Sequence, residues 1–248
     1  MIDFVLVTHI TSENRLRLFH QTVDTLFAHT DLDKYANRIV WIDDCSPMFN
    51  DWDRAIPFLM QLDNVVVDRN DKQMGVGYSK NKGIEIAFHL NNVHQKVNDL
   101  IYMFDADVCF TEGWLEKLLS AYEEFGHKYK IIGGGVHPFL QARANEGSFS
   151  SNKMLGVSSH DAISGWSWLL SHEVWTEYGK LADNAIGTGK SEDWEYCQRI
   201  RNDNYLVGCI QPQVVAHCGL TNTEGLPIVG YEESKKLAQS VAPSALLL

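Results

Sequence analysis

Short apolar runs rich in Val and Ile recur at 4–7 (FVLV), 38–42 (RIVWI), 64–67 (NVVV) and 100–104 (LIYMF). Between them, apolar residues return instead at three- and four-residue intervals. Leu16, Phe19, Val23 and Leu26 predict a helix over 14–28; Ile84, Ala87 and Phe88 predict one over 77–90; Leu115, Leu118, Leu119 and Tyr122 predict one over 113–125. Strand-length runs alternating with helix-length stretches predict an α/β fold, a mostly parallel central sheet flanked by crossover helices. Trp194, Tyr196, Cys197 and Ile200 suggest a further helix packing one face, and VVAHCGL (214–220) a further strand. From 140 to 165 the chain turns small and polar with weak periodicity. That stretch predicts a long surface loop, either a plain connection or a movable cover over a site.

Polar residues gather where the apolar runs stop: Thr8 and His9, Asp43 and Asp44, Asp68 and Arg69, Asp105 and Asp107. In open parallel sheets ligands bind beyond the carboxyl ends of the strands, so this placement points to a ligand. Asp105 and Asp107 would face opposite sides of a straight strand, but past its end both can turn to one ligand. Two neighbouring carboxylates repel unless a proton or cation lies between them, and a hard ion such as Mg²⁺ or Mn²⁺, bridging to phosphate oxygens, relieves that repulsion. A lone Asp-x-Asp triplet is common, so the reading needs partners elsewhere in the chain. In GTGKSEDWEYCQRIRNDNY (187–205), Ser191 as a helix cap with Glu192 and Asp193 in the first turn has a purely structural explanation. A carboxylate at a helix start beside a small-residue loop also suits a general base. His217 is read either as a structural histidine or as a metal ligand, while the thiol of Cys218 suits a hard cation poorly.

Composition narrows the class. A chain of 248 residues, 45% hydrophobic and 21% charged, suits one domain with a sizeable core. A C-terminal tail (221–248) is expected to pack as a helix or to join two copies. The formal charge of −11 disfavours a protein built to grip a nucleic-acid backbone. Five cysteines without a CxxC pair argue against a disulfide framework or structural zinc and for a reducing compartment. No apolar run approaches the ~20 residues of a membrane-spanning helix, so a cytoplasmic location is expected.

Taken in order, these segments resemble the inverting nucleotide-sugar glycosyltransferases of the GT-A fold, in particular glycosyltransferase family 2, over roughly residues 3–220. FVLVTHITSENR is similar to that family's first strand and nucleotide-facing loop, and RIVWIDDCSP to its second strand ending in Asp-Asp-x-Ser. DRNDKQMGVGYSKNKGIEIA resembles the segment leading into a basic-Asn-x-Gly helix, with altered spacing around Gly75 and Gly77. YMFDADVCFTEGWLEKL resembles the Asp-x-Asp strand and its following helix, GKSEDWEYCQRI the Glu-Asp helix start, and VVAHCG the final His-x-Gly.

The resemblance implies a nucleotide-binding half (1–110), an acceptor and catalytic half (111–220) and a role for each matched residue. Thr8 would touch base or ribose; Asp44 would accept from the base, most simply uracil N3, and Asp43 would shape that pocket. An Asx turn at the strand end is the plain alternative for the pair. Lys80 would lie near the diphosphate, unless it is an ordinary solvated helix lysine. Asp105 would contact ribose or a metal-bound water, and Asp107 and His217 would hold Mn²⁺ or Mg²⁺ against both phosphates. Asp193 would be the base that takes the acceptor hydroxyl's proton, giving inversion, with Glu192 orienting the helix start or touching a substrate. Gly165 would allow close approach, Trp166 would stack on a sugar, and Trp194 would form an acceptor wall; core packing is the alternative for Trp166 and the favoured reading of Trp168. With 31 residues from Cys218 to Leu248, transfer of a single sugar to a glycan, a protein or another hydroxyl acceptor is expected. A nucleotidyltransferase would want more basic residues around a triphosphate. A non-catalytic sugar-binding module would not need Asp107, Asp193 and His217 together, and an enzyme acting on modified DNA bases fits the acidic composition poorly.

Overall fold

The computed structural model describes residues 1–48, 64–94, 99–135, 147–150, 155–183 and 192–219. The elements run β1 (Ile2–Thr8), α1 (Glu13–His29), α2 (Leu32–Tyr35), β2 (Ala36–Asp43), β3 (Val65–Arg69), α3 (Val76–His94), β4 (Leu100–Asp105), β5 (Val108–Phe110), α4 (Trp114–Phe125) and β6 (Tyr129–Gly133). They continue as β7 (Gly147–Phe149), β8 (Gly156–His160), β9 (Ser167–Ser171), α5 (His172–Tyr178), α6 (Glu192–Asn202), β10 (Leu206–Gln211) and β11 (Val215–His217). A nine-stranded sheet has the order β3-β2-β1-β4-β9-β6-β10-β8-β7, and β11 pairs with β5 in a small separate ladder. Pairing is parallel from β3 through β2 and β1 to β4, and again between β6 and β10. The antiparallel β9 sits between β4 and β6, so one sheet crosses both expected halves of the chain. This is the α/β architecture expected, a central sheet flanked by helices.

Strands β1, β2 and β4 are covered on both faces, which is why they read as unbroken apolar runs, while β3 at the sheet edge stays partly exposed. Along β1, Phe4 and Leu6 join one cluster with Phe19, Trp41, Tyr102 and Trp114, while Val5 faces Ile101, Met103 and Trp168. Helix α1 begins where the Ser12 hydroxyl accepts from the Arg15 N–H, and it buries Leu16, Phe19, Val23 and Leu26. Helix α4 docks through Trp114, whose ring lies 4.8 Å from Tyr102 and 4.5 Å from Phe110.

The expectation of a long surface loop over 140–165 is overturned where the chain is described. Residues 147–149 and 156–160 are β7 and β8, and β8 is a buried strand paired antiparallel to β10. GVSSH lacks apolar alternation, and the fold gives its polar groups partners of their own: the Ser158 hydroxyl donates to the Cys209 carbonyl at 3.2 Å and lies 2.9 Å from His160 Nε2. Residues 140–146 and 151–154, the Ser191 cap and the 221–248 tail lie outside the described residues. Among the described residues no helix is long and apolar enough to cross a membrane.

At the amino end of β1, Asp3 is wholly buried and accepts from the Asn37 and Asn91 amides, both at 2.8 Å. It ion-pairs with Arg38 at 3.1 Å, and His172 Nε2 lies 3.2 Å away. Burial raises the Asp3 pKa, but His172, the two amides and Arg38 outweigh it, so the folded value falls below the ordinary 3.8. Asp3 therefore contributes stability fully above that ordinary value and loses it as pH falls through the lower folded value. Asp3→Asn, which leaves the buried Arg38 without its counter-charge, should cost about 3–5 kcal/mol near neutral pH. Urea denaturation of both proteins should show that deficit shrinking in acid below 3.8.

Candidate active site

Strand register brings the polar residues to one edge. Thr8 pairs with Asp43, Asp43 with Arg69, and Val7 with Asp105, so β1, β2, β3 and β4 all stop at the same level. There the Thr8 hydroxyl accepts from the Trp41 indole at 2.9 Å and faces Asp43 Oδ1 at 3.3 Å. Thr8 is 1% exposed, so its hydroxyl serves the protein's own network. Asp43 is buried and also receives the Ser46 hydroxyl, the Ser46 N–H at 3.0 Å and the Arg69 guanidinium at 3.2 Å. Asp44 gathers the following loop: Asn70 and the Met74 N–H donate to Oδ1 at 2.8 and 2.7 Å, and the Gly75 N–H donates to Oδ2 at 2.8 Å. Gly75 has φ +94°, a left-handed conformation that glycine adopts without strain.

Asp107 lies between β4 and β5, and His217 ends β11. The β5–β11 ladder sets His217 opposite Val108, and the Cys218 N–H donates to the Asp107 carbonyl at 2.7 Å. The side chains meet, with His217 Nε2 3.2 Å from Asp107 Oδ1, while Arg15 holds Asp107 Oδ2 at 2.7 Å. Burial pushes Asp107 upward, but His217 and Arg15 outweigh it and hold the carboxyl well below the usual range. Burial likewise works against a charged His217, and Asp107 overcomes it, raising the imidazole pKa. The Trp166 ring, itself buried, lies 5.4 Å from the His217 ring and backs it.

Among the described residues no group of three or more His, Cys, Asp or Glu side chains is gathered around a single metal position. Asp107 and His217 nevertheless fit as two neighbouring ligands. An octahedral ion with oxygen ligands at 2.0–2.1 Å sets adjacent donors about 3 Å apart, and such ions complete their shell with phosphate oxygens and water. The observed separation is 3.2 Å.

A third group surrounds Lys80. Its ammonium is 2.9 Å from Asp105 Oδ1 and donates to the Gly165 carbonyl at 2.7 Å. The Gly165 N–H donates to Asp193 Oδ2 at 3.1 Å, and the Asp193 Oδ1 accepts from the Trp194 N–H at 2.7 Å. A side chain at Gly165 would stand 3.2 Å from the Lys80 ammonium and 3.5 Å from Asp193 Cβ. Glu192 and Asp193 open α6, where the helix dipole favours acids; Arg199 and Arg201 close it. Burial raises the Glu192 pKa, with Lys80 opposing it. Trp168 lies in the core near Tyr196, while Trp194 is 49% exposed.

Three supports escaped the sequence reading: Arg15 on Asp107, Ser46 and Arg69 on Asp43, and Asn70 on Asp44. The signal for Arg15 was its position in the first turn of a helix that starts just past a strand's carboxyl end.

Acidic residues thus line one strand edge of the α/β sheet, and Lys80 and Gly165 join that edge to the acidic start of α6. The chain belongs to glycosyl transferase family 2, whose family model matches residues 8–170. Over 135 residues it is 28% identical to the glucosyl-dolichyl phosphate glucuronosyltransferase of Haloferax volcanii, covering 54% of this chain and 38% of that protein. The chain thus spans well under half the length of that relative. Two solved structures share the fold. GalNAc-T7 with UDP, GalNAc and Mn²⁺ superposes with a TM-score of 0.62 at 18% identity, covering 88% of this chain and 43% of the other. S. aureus TarS 1–349 gives 0.55 at 12% identity, covering 100% and 66%.

Asp44 organises the ligand-free protein as well as facing the edge. Asp44→Ala strips partners from the Met74 and Gly75 N–H groups and the Asn70 amide, and should cost about 1–3 kcal/mol without any nucleotide present. Chemical denaturation of the ligand-free variant measures this loss; a residue kept for ligand contact alone would show none.

Proposed function

We propose that the chain transfers one sugar from a nucleoside diphosphate sugar, with uridine as the favoured base, to an acceptor hydroxyl, with inversion at the anomeric carbon. The observation that carries this reading is the tie between donor edge and base. Asp105, at the end of β4, is linked through Lys80 and Gly165 to Asp193, at the start of α6. Asp44 and its loop would receive the base, supported by Asp43 and Thr8. Asp105 would face the ribose, and Asp107 with His217 would hold Mn²⁺ or Mg²⁺. When bound, that ion would supply Lewis-acid stabilisation of the departing diphosphate. The solution of GalNAc-T7 with UDP and Mn²⁺ supports both the nucleotide and the ion.

Asp193 accepts the proton of the acceptor hydroxyl as its oxygen attacks the anomeric carbon from the face opposite the diphosphate. The Gly165 N–H aims one carboxylate oxygen. The exposed Trp194 ring beside it is a platform for an acceptor sugar, a role the buried Trp166 ring is less free to fill.

A ligand that binds the native state raises the melting temperature by mass action, so UDP with Mn²⁺ should stabilise the protein and EDTA should remove the effect. Asp107→Ala should abolish that metal-dependent shift; unchanged metal-dependent UDP affinity by calorimetry would overturn the metal assignment. Asp193→Asn should bind UDP and Mn²⁺ as the parent does and lose transfer by about 10²–10⁴-fold. Full activity in that variant would remove Asp193 as the base.

A further inference from the structure

Lysine beside a diphosphate site is ordinarily read as a phosphate contact. Here Lys80 is 2% exposed, and its ammonium is directed into the protein, onto the Asp105 carboxylate and the Gly165 carbonyl. The same short segment is held on two further sides: the Asp105 N–H donates to the Trp166 carbonyl at 3.2 Å, and the Gly165 N–H donates to Asp193 at 3.1 Å. We propose that Lys80 is a positioning residue for Asp193, acting through the Gly165 backbone, and is not a ligand of the donor diphosphate. The proposal rests on the reading of Asp193 as the base.

The physical case has two parts. The first is geometric: α6 touches the donor edge through a glycine whose carbonyl and N–H face two different charged side chains, so the ammonium that fixes the carbonyl also fixes the direction of the N–H. The absence of a side chain at Gly165 allows Lys80 and Asp193 to approach from both sides. The second is electrostatic. The ionisable groups that face Lys80 are Asp105 from β4 and Glu192 and Asp193 from α6. Burial disfavours the charged amine, yet Asp105 and then the two α6 acids outweigh it, so Lys80 remains an ammonium. One cation thus offsets the mutual repulsion of three carboxylates that the two elements bring together.

Lys80→Met removes the charge and keeps most of the side-chain volume. The expected result is unchanged UDP affinity in the presence of Mn²⁺ by calorimetry, with kcat reduced on the order of 10²-fold by misplacement of the base. The acid limb of the pH–rate profile should move to higher pH, because Lys80 opposes the burial that raises the Glu192 carboxyl beside the base, and its loss lets that carboxyl rise further. Simple loosening of the fold would lower the melting temperature without moving that limb. A fall in UDP affinity with kcat preserved would make Lys80 a diphosphate ligand and overturn the proposal, as would an unchanged kcat and pH profile. Asp193→Asn, assayed alongside, separates the two levels. If it is active, the base assignment fails; if it is inactive while Lys80→Met matches the parent, only the positioning role fails. Should the methionine variant not fold, Lys80→Gln retains an N–H donor for the Gly165 carbonyl without the charge and is read for the same shift of the acid limb.

Discussion

Strand β1 lies between β2 and β4 with helices on both faces, and this double burial governs where polar chemistry can stand. No charged side chain along the middle of such a strand could be hydrated, so acids and their partners are confined to the two ends. At the amino end Asp3 is enclosed by amides, a guanidinium and an imidazole. At the carboxyl end Thr8, Asp43 and Asp105 come level because the parallel register of the three strands makes them stop together. The site is thus a product of the core's own geometry.

The acids at that edge are handled in three ways. Asp43 and Asp44 are satisfied from nearby loops, by Ser46 and Arg69 in one case and by Asn70 and two backbone N–H groups in the other. Asp107 is compensated by Arg15 and His217, groups brought from opposite ends of the chain. Asp105 shares Lys80 with the helix that carries Glu192 and Asp193. The first arrangement is built into the resting protein. The second sets an acid and a histidine 3.2 Å apart beside an arginine, and the third links the end of β4 to the start of α6.

Much of this was legible in the sequence because β1 to β4 are continuous apolar runs that end abruptly in polar residues. The periodicity of Leu16, Phe19, Val23 and Leu26 likewise marked α1 within a residue of its observed bounds. Strand β8 was not legible, since Ser158 and Ser159 carry no apolar signal and are held by a ladder to β10. The partners of Asp44 were hidden for another reason: every residue except proline has a backbone N–H, so none is marked as a donor. Lys80 is placed near the site by the family resemblance alone. Its burial arises only when residues 105, 165 and 193 converge, and no local pattern records such a meeting.

The ladder between β5 and β11 has a consequence for how such a protein can diversify. Three residue pairs, Val108 with His217 to Phe110 with Val215, fix Asp107 and His217 against each other across a long intervening stretch of chain. Loops between these strands can lengthen, shorten or change their exposed surface without moving that acid and histidine apart, provided β6, β9 and β10 keep their places in the sheet and β5 and β11 return to the same three-pair register. Loop variation on a fixed scaffold is the ordinary route to new specificity. In this chain the fixed part is a ladder of six residues, which leaves selection free to change the surrounding loops while the acid and histidine pair is inherited intact.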